Sequence, residues 1–441
     1  MTAEIGIGNQ SGVVLAADSA VSETDYSGRV QAIYNSAQKL YTLGWQHYVG
    51  LLIYGNASYE GTPWSVLFNH YDKKIGETRL DYINDYQTAL LDYLAEEPLL
   101  KLELGDDQST IFRVINSLIY TLCCEFQQGN YNVDEFGNFV YSELNDFASN
   151  YLQNAQQNNS PLAVDNYSED QFVNEFYNQL LKIDTVNPNA EGLVIKLMKS
   201  QSQEIGISLN GDNQYHNLFT EAMNRMWMHA LYIILFYGIS SGQWKWNGYS
   251  GVVIAGYGIK DNWPVVKELK IYGYVGSHPI FTVEPILQIG SKFSQGSFTN
   301  HSLFIPFAQS DVANTLCYGY SSEIYNNMMD TLINKTALSS EEKEKVSRQI
   351  DQYFIENYTR PFNSEIAMLN IPELAEIAET MIKVTSFERQ YNGNHYATVG
   401  GPIDILSITP GDGPVWIKKK HYYDPNTRDN LGKQLRLQRG K

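Results

Sequence analysis

Ile5 and Ile7 alternate with polar or small neighbours and lead into Asn9-Gln10-Ser11-Gly12, after which Val13, Val14 and Leu15 run without a break. Alternation, a turn-forming cluster and an apolar run predict a hairpin whose second arm is a buried strand. That arm ends in Asp18 and Ser19. A carboxylate at the end of a buried strand needs a partner, because burying an unpaired charge is costly. Further on, 28–34 reads as a strand, and 39–43 with 47–54 as a second hairpin turning at Gly44 and Trp45. The period then changes. Thr62-Pro63 reads as a helix start, with Thr62 as N-cap and Pro63 at the first helical position. Trp64, Leu67, Phe68 and Tyr71 follow at helical spacing, and helical character continues with breaks to about residue 128.

The stretch 129–192 breaks the pattern. It is rich in Asn, Gln, Asp, Glu and Tyr and reads as an acidic insertion of irregular loops. A helix over 221–239 follows, then strands over 252–257 and 265–274 joined by a turn at 261–264. Residues 277–302 read as a second insertion. Helices are expected after Asp311, over 339–358 and over 371–387, and a closing strand within 397–408. Strands, helices, strands, helices and a strand in this order imply layers, an α+β arrangement with two sheets face to face and helices outside rather than alternating βαβ units.

With 441 residues, 43% of them hydrophobic and 18% charged, the chain has material for a packed core, and it is read as a single domain, 1–441, carrying the two insertions. The net charge of -18 speaks against general nucleic-acid or acidic-membrane binding, which needs a basic face. A local basic excess sits in 418–441 and reads as a solvated terminal tail. The three cysteines, Cys123, Cys124 and Cys317, have neither metal-ligand spacing nor a disulfide framework and read as buried free thiols of a reducing cytosol. No signal peptide is evident, and the most apolar helix candidate, 226–239, is short of the ~20 residues needed to cross a bilayer. A cytoplasmic location, no metal and no cofactor are expected.

Candidate chemistry lies at the start. If Met1 is removed, Thr2 carries a hydroxyl and a free α-amine on one residue, a nucleophile with its own base. An α-amine has an ordinary pKa of about 7.7–8.0, so a sizeable minority is neutral at pH 7. In this arrangement Lys39 holds positive charge near the Thr2 oxygen, Asp18 pairs with and orients Lys39, and Gly55 offers a backbone N–H to an oxyanion without obstructing a substrate.

Thr2, VVLAADSAVS (13–22), QKLY (38–41) and VGLLIYGNAS (49–58) occur in this order. Together they resemble the β subunits of the proteasome and the bacterial proteasome-like peptidases, N-terminal nucleophile (Ntn) hydrolases. The resemblance is strongest over 2–60. It returns more weakly at 252–266, 304–319 and 397–408.

It implies a four-layer αββα sandwich, with Thr2, Asp18, Lys39 and Gly55 as catalytic residues. Ser22 is implied as the substrate-aligning backbone residue, and Val21, Tyr41, Ile53 and Ala57 as the lining of an apolar pocket for a neutral hydrophobic side chain. Ser19, Gln309 and Ser310 take supporting places. The resemblance also implies a peptide or unfolded-protein substrate, a homo-oligomeric ring and an unfoldase partner.

The chain departs from the family pattern at three places. Ala308-Gln309-Ser310 stands where Gly-Ser-Gly is usual, Tyr396 and Val399 stand where an Asp and a Ser are usual, and Ala20 replaces a common Arg. The expected activity is that of a threonine protease. An inactive scaffold subunit of the same fold, and an Ntn amidase acting on a small amide, are the alternatives.

Overall fold

The computed structural model describes residues 2–24, 30–96, 248–275, 278–291, 300–335, 339–391 and 399–420, with scattered positions over 118–149, at 170 and over 229–233. The chain is mixed α+β. β1 (Glu4–Asn9) and β2 (Gly12–Ala17) form the expected hairpin, with Asn9 opposite Gly12. The turn is held from below, because the Asn9 side chain donates to the carbonyls of Ile366 and Leu369 at 2.8 and 2.7 Å. A polar turn residue 1% exposed thereby keeps its donors satisfied.

β3 (Val21–Thr24) pairs with β4 (Val30–Tyr34) as a separate ribbon. β5 (Leu40–Thr42) and β6 (Tyr48–Gly55) form the second predicted hairpin. The short β7 (Ser58–Tyr59) and β8 (Thr62–Pro63) pair before α1 (Trp64–Ile75) and α2 (Ile83–Glu96). Helix α1 thus starts one residue later than expected. Pro63 has extended backbone and serves as N-cap, because Thr62 is engaged in the ladder with Tyr59.

β9 (Ser250–Tyr257) and β10 (Val265–Val275) follow, and then β11 (His278–Glu284). This last strand lies within the stretch read as a second insertion. Its residues pair antiparallel along β10 from Leu269 opposite Val283 to Val275 opposite His278. After β12 (Ser302–Pro306) come α3 (Asp311–Tyr318), α4 (Ser322–Lys335) and α5 (Ser340–Phe354). Ser339 and Glu342 cap α5 reciprocally. A π-turn at Ile355–Thr359 leads into α6 (Arg360–Met368), and α7 (Ile371–Tyr391) is four residues longer than its apolar period suggests. β13 (Asp404–Thr409) is the expected closing strand. It is followed by β14 (Gly413–Lys418), which was not expected and lies between the closing strand and the basic tail, meeting the latter only at Lys418.

Two five-stranded antiparallel sheets result, ordered β12-β1-β2-β13-β14 and β11-β10-β9-β6-β5. The period-2 alternation sorts their side chains. Ile5, Ile7, Val14, Ala16 and Ile405 share a core with Leu374, Ala378 and Ile382 of α7. Val13, Leu15, Leu406 and Ile408 of the first sheet share another with Leu52, Val253 and Ala255 of the second. Leu51, Ile53, Val252 and Ile254 face Trp64, Leu67, Tyr86 and Leu90 of α1 and α2. Each fully buried aliphatic side chain contributes ~1.5–3 kcal/mol.

Within 129–192, read as irregular loops, the described positions 139–140, 142–146, 149 and 170 are helical, with Val140 and Leu144 buried. Among the described residues, no helix is long and apolar enough to cross a membrane. Residues 421–441 of the basic tail, Cys123 and Tyr396 lie outside the described residues. Cys317 is a buried free thiol, and burial pushes its pKa up to about 12.

Candidate functional site

The β1–β2 register places Glu4 opposite Ala17, so the first residues of the chain lie beside the end of β2. There the Asp18 N–H donates to the Ala3 carbonyl and the Ala3 N–H donates to Asp18 Oδ1, each at 3.2 Å. Lys39 arrives from the other sheet. It directly precedes β5, and its carbonyl accepts from the Ile53 N–H at 2.9 Å. Its Nζ stands 2.5 Å from Asp18 Oδ1 and 3.1 Å from Glu4 Oε1. The Thr2 hydroxyl donates to Glu4 Oε2 at 3.0 Å. Thr2, Asp18 and Lys39 are therefore brought together, and a fourth residue, Glu4, links them. All are buried, Thr2 at 6% and Lys39 at 3% exposure.

One ammonium stands between two carboxylates. Burial raises the Glu4 carboxyl to about 7, opposed by the charge of Lys39 and reinforced by that of Asp18. Asp18 is held by four donors. Oδ1 accepts from the Ala3 N–H and from Lys39, and Oδ2 accepts from the N–H groups of Ala20 at 3.3 Å and Gly400 at 2.9 Å. Neighbouring Ser19 ties the same loops together. Its N–H donates to the Gly400 carbonyl at 3.1 Å and its hydroxyl to the Pro402 carbonyl at 2.6 Å.

Gln309 is tied to Thr2 through the backbone, its N–H donating to the Thr2 carbonyl at 3.2 Å. Its side chain accepts from Arg389 Nε at 2.7 Å, and Arg389 forks onto both oxygens of Asp311 at 2.6 Å. Ser310 is the half-buried residue before α3, and its carbonyl accepts from the Asn314 N–H at 2.7 Å. Val399 is buried against α7, where its carbonyl accepts from the Ser386 hydroxyl at 3.0 Å.

Gly55 ends β6 with φ +73°. A Cβ there would stand 2.6 Å from the Tyr249 carbonyl oxygen, so both conformation and space require glycine. It lies two residues beyond Ile53, whose N–H binds the Lys39 carbonyl. Of the residues implied to line a pocket, Tyr41 and Val21 are half-buried and Ala57 is exposed, while Ile53 is buried in the core beneath α1 and α2. Tyr41 packs edge-on against Phe68, with ring centroids 5.2 Å apart. Ser22 opposes Ile33 in the β3–β4 ribbon.

A cavity of about 430 Å³ lies between α7 and the 400–403 loop and meets the site only at Asp18. Among the described residues, no group of three or more His, Cys, Asp or Glu is placed to hold a metal ion.

Sequence reasoning missed Glu4 and Arg389. Glu4 was findable, because it is the one charge on a strand buried at every position. Arg389 was not, since its partners lie some eighty residues away. Compared with protein-family models and with curated proteins, the chain matches none.

Proposed function

We propose that this chain is a threonine peptidase of the N-terminal nucleophile kind, with Thr2 as nucleophile. The observation that carries the reading is the buried set in which the Thr2 hydroxyl, Glu4, Lys39 and Asp18 form one connected network across two sheets. Burying a hydroxyl, a lysine and two carboxylates together carries a desolvation cost, and such buried clusters of perturbed groups concentrate at functional sites. The core shared by both sheets, with helices packed on each outer face, supports the four-layer αββα reading.

In this mechanism Thr2 Oγ attacks the scissile carbonyl and its proton passes to a base, which the resemblance places at the α-amine of Thr2. Lys39 lends positive charge, Asp18 orients Lys39, and the Gly55 N–H binds the oxyanion. The amine product leaves and water releases the acyl group. A peptide or unfolded chain with an apolar residue before the scissile bond is the proposed substrate. Work within a self-assembled homo-oligomer in the cytoplasm, fed by an unfoldase, completes the reading.

The test is the intact mass of the purified protein before and after a peptide epoxyketone, which needs both the hydroxyl and the free amine of an N-terminal threonine. Loss of Met1 and a single adduct, absent in Thr2→Ala, is the expected result. Retained Met1 with no adduct would overturn the reading in favour of an inactive scaffold. Cleavage of one compact amide but of no peptide would favour an amidase.

A further inference from the structure

We infer that the Glu4 carboxylate is the base that receives the Thr2 hydroxyl proton, an assignment that rests on the threonine-peptidase reading and names a catalytic residue within it. Four groups lie close enough to be considered. Lys39 Nζ is engaged by two carboxylates, Asp18 at 2.5 Å and Glu4 at 3.1 Å. Asp18 has its oxygens occupied by three backbone N–H groups and Lys39, and the Thr2 hydroxyl donates to Glu4 instead. The α-amine, carried on the same residue as the hydroxyl and free only after Met1 is lost, is the rival base that the experiment below separates from Glu4. Glu4 already accepts the hydroxyl hydrogen at 3.0 Å, within the reach a general base requires.

Glu4 is also the less encumbered carboxylate. Among the described residues no backbone N–H donates to it. Among the described residues, its Oε1 faces Lys39 and its Oε2 accepts from Thr2. The charged groups facing it are Lys39, from the segment before β5, and Asp18, from the end of β2. From α3 and α7, Asp311 and Arg389 are engaged with each other and with Gln309. A carboxyl raised to about 7 is divided between its two forms near neutral pH, where a base both accepts and returns a proton well.

The step balances within the site. As the Thr2 Oγ–carbon bond forms, the O–H bond breaks and its proton moves to Oε2. The carbonyl π pair becomes the oxyanion. On collapse the carbon–nitrogen bond breaks, and Glu4 returns the proton to the leaving amine. Water then repeats the sequence on the ester, with Glu4 again taking and returning one proton.

The experiment measures the rate of epoxyketone adduct formation and of hydrolysis of a fluorogenic peptide across pH 5–9. The full-length wild type, Glu4→Gln and Glu4→Asp are compared. The wild type is expected to show an acidic limb near pH 7. Glu4→Gln is expected to lose roughly 10²–10⁴-fold in rate, together with that limb. Glu4→Asp should fall between them.

A wild type that forms no adduct overturns the peptidase reading and this assignment together. An active wild type whose Glu4→Gln variant keeps the limb, at any rate, overturns the assignment alone. Should the variants fail to fold, the wild type decides by temperature. A carboxyl limb stays nearly fixed on warming, whereas a limb that moves to lower pH belongs to an amine and overturns the assignment.

Discussion

Glu4 ties the proposed chemistry to stability at one side chain. Its carboxyl titrates near 4.5 when free in the unfolded chain and at about 7 in the folded protein. Between those values the folded chain holds a proton that the unfolded chain has lost. The contribution is therefore fully present below about pH 4.5 and is lost as pH rises through 7, up to ~3 kcal/mol. Glu4→Gln cannot ionise, so the variant lacks this fall. Urea unfolding at pH 5, 6, 7 and 8 is expected to give a difference, variant minus wild type, that grows with pH. A constant difference would show that Glu4 is not the raised group. The sequence carried half of this residue-scale picture. Thr2, Asp18 and Lys39 were legible from residue type and order, whereas Glu4 drew no notice because a strand start was read for its apolar period alone.

Helix α7 does more than cover a sheet. Leu374, Ala378 and Ile382 supply its apolar stripe. Arg389 lies in the last turn, beyond the end that the apolar period suggested, and holds Gln309 and Asp311 with both ends of its guanidinium. Because Gln309 also binds the Thr2 carbonyl, α7 sets the position of the Thr2 backbone. Asp311 is half-exposed, which screens part of the pair. Arg389→Ala is expected to cost about 1–3 kcal/mol in denaturant unfolding and to slow adduct formation. Arg389→Lys should recover only part of both, since an ammonium cannot reproduce the planar fork. Equal behaviour of Lys and Arg would mean that charge alone matters there.

Across the whole molecule, the site exists because two sheets meet. Glu4 and Asp18 come from one and Lys39 from the other. The two sheets approach each other closely around Gly50 of β6. A Cβ there would stand 2.8 Å from both Leu406 Cδ2 and Ile408 Cδ1 and 3.3 Å from Leu15 Cδ1. Gly50→Ala is expected to destabilise by about 1–3 kcal/mol through overpacking. By parting the sheets it should also slow the epoxyketone reaction more than its distance along the chain from Thr2 implies. Denaturant midpoints and adduct rates measured on one preparation check both effects. A stable variant with a normal rate would show that the interface yields without disturbing the site.

Local patterns were enough to place the hairpins, the start of α1 to within a residue and the apolar face of α1, because strand and helix periods act over short spans, whereas Thr2, Asp18 and Lys39 were singled out together by the resemblance. Strand β11 escaped because its seven residues carry little periodicity of their own and gain their place from pairing with β10. Strand β14 escaped because its apolar run, Val415-Trp416-Ile417, is only three residues long and lies between Pro414 and the basic tail. Which carboxylate is saturated by donors and which faces the hydroxyl was a tertiary outcome. It depends on Gly400 and Lys39 arriving from distant parts of the chain, and burial then sets the proton affinity of what they leave unpaired.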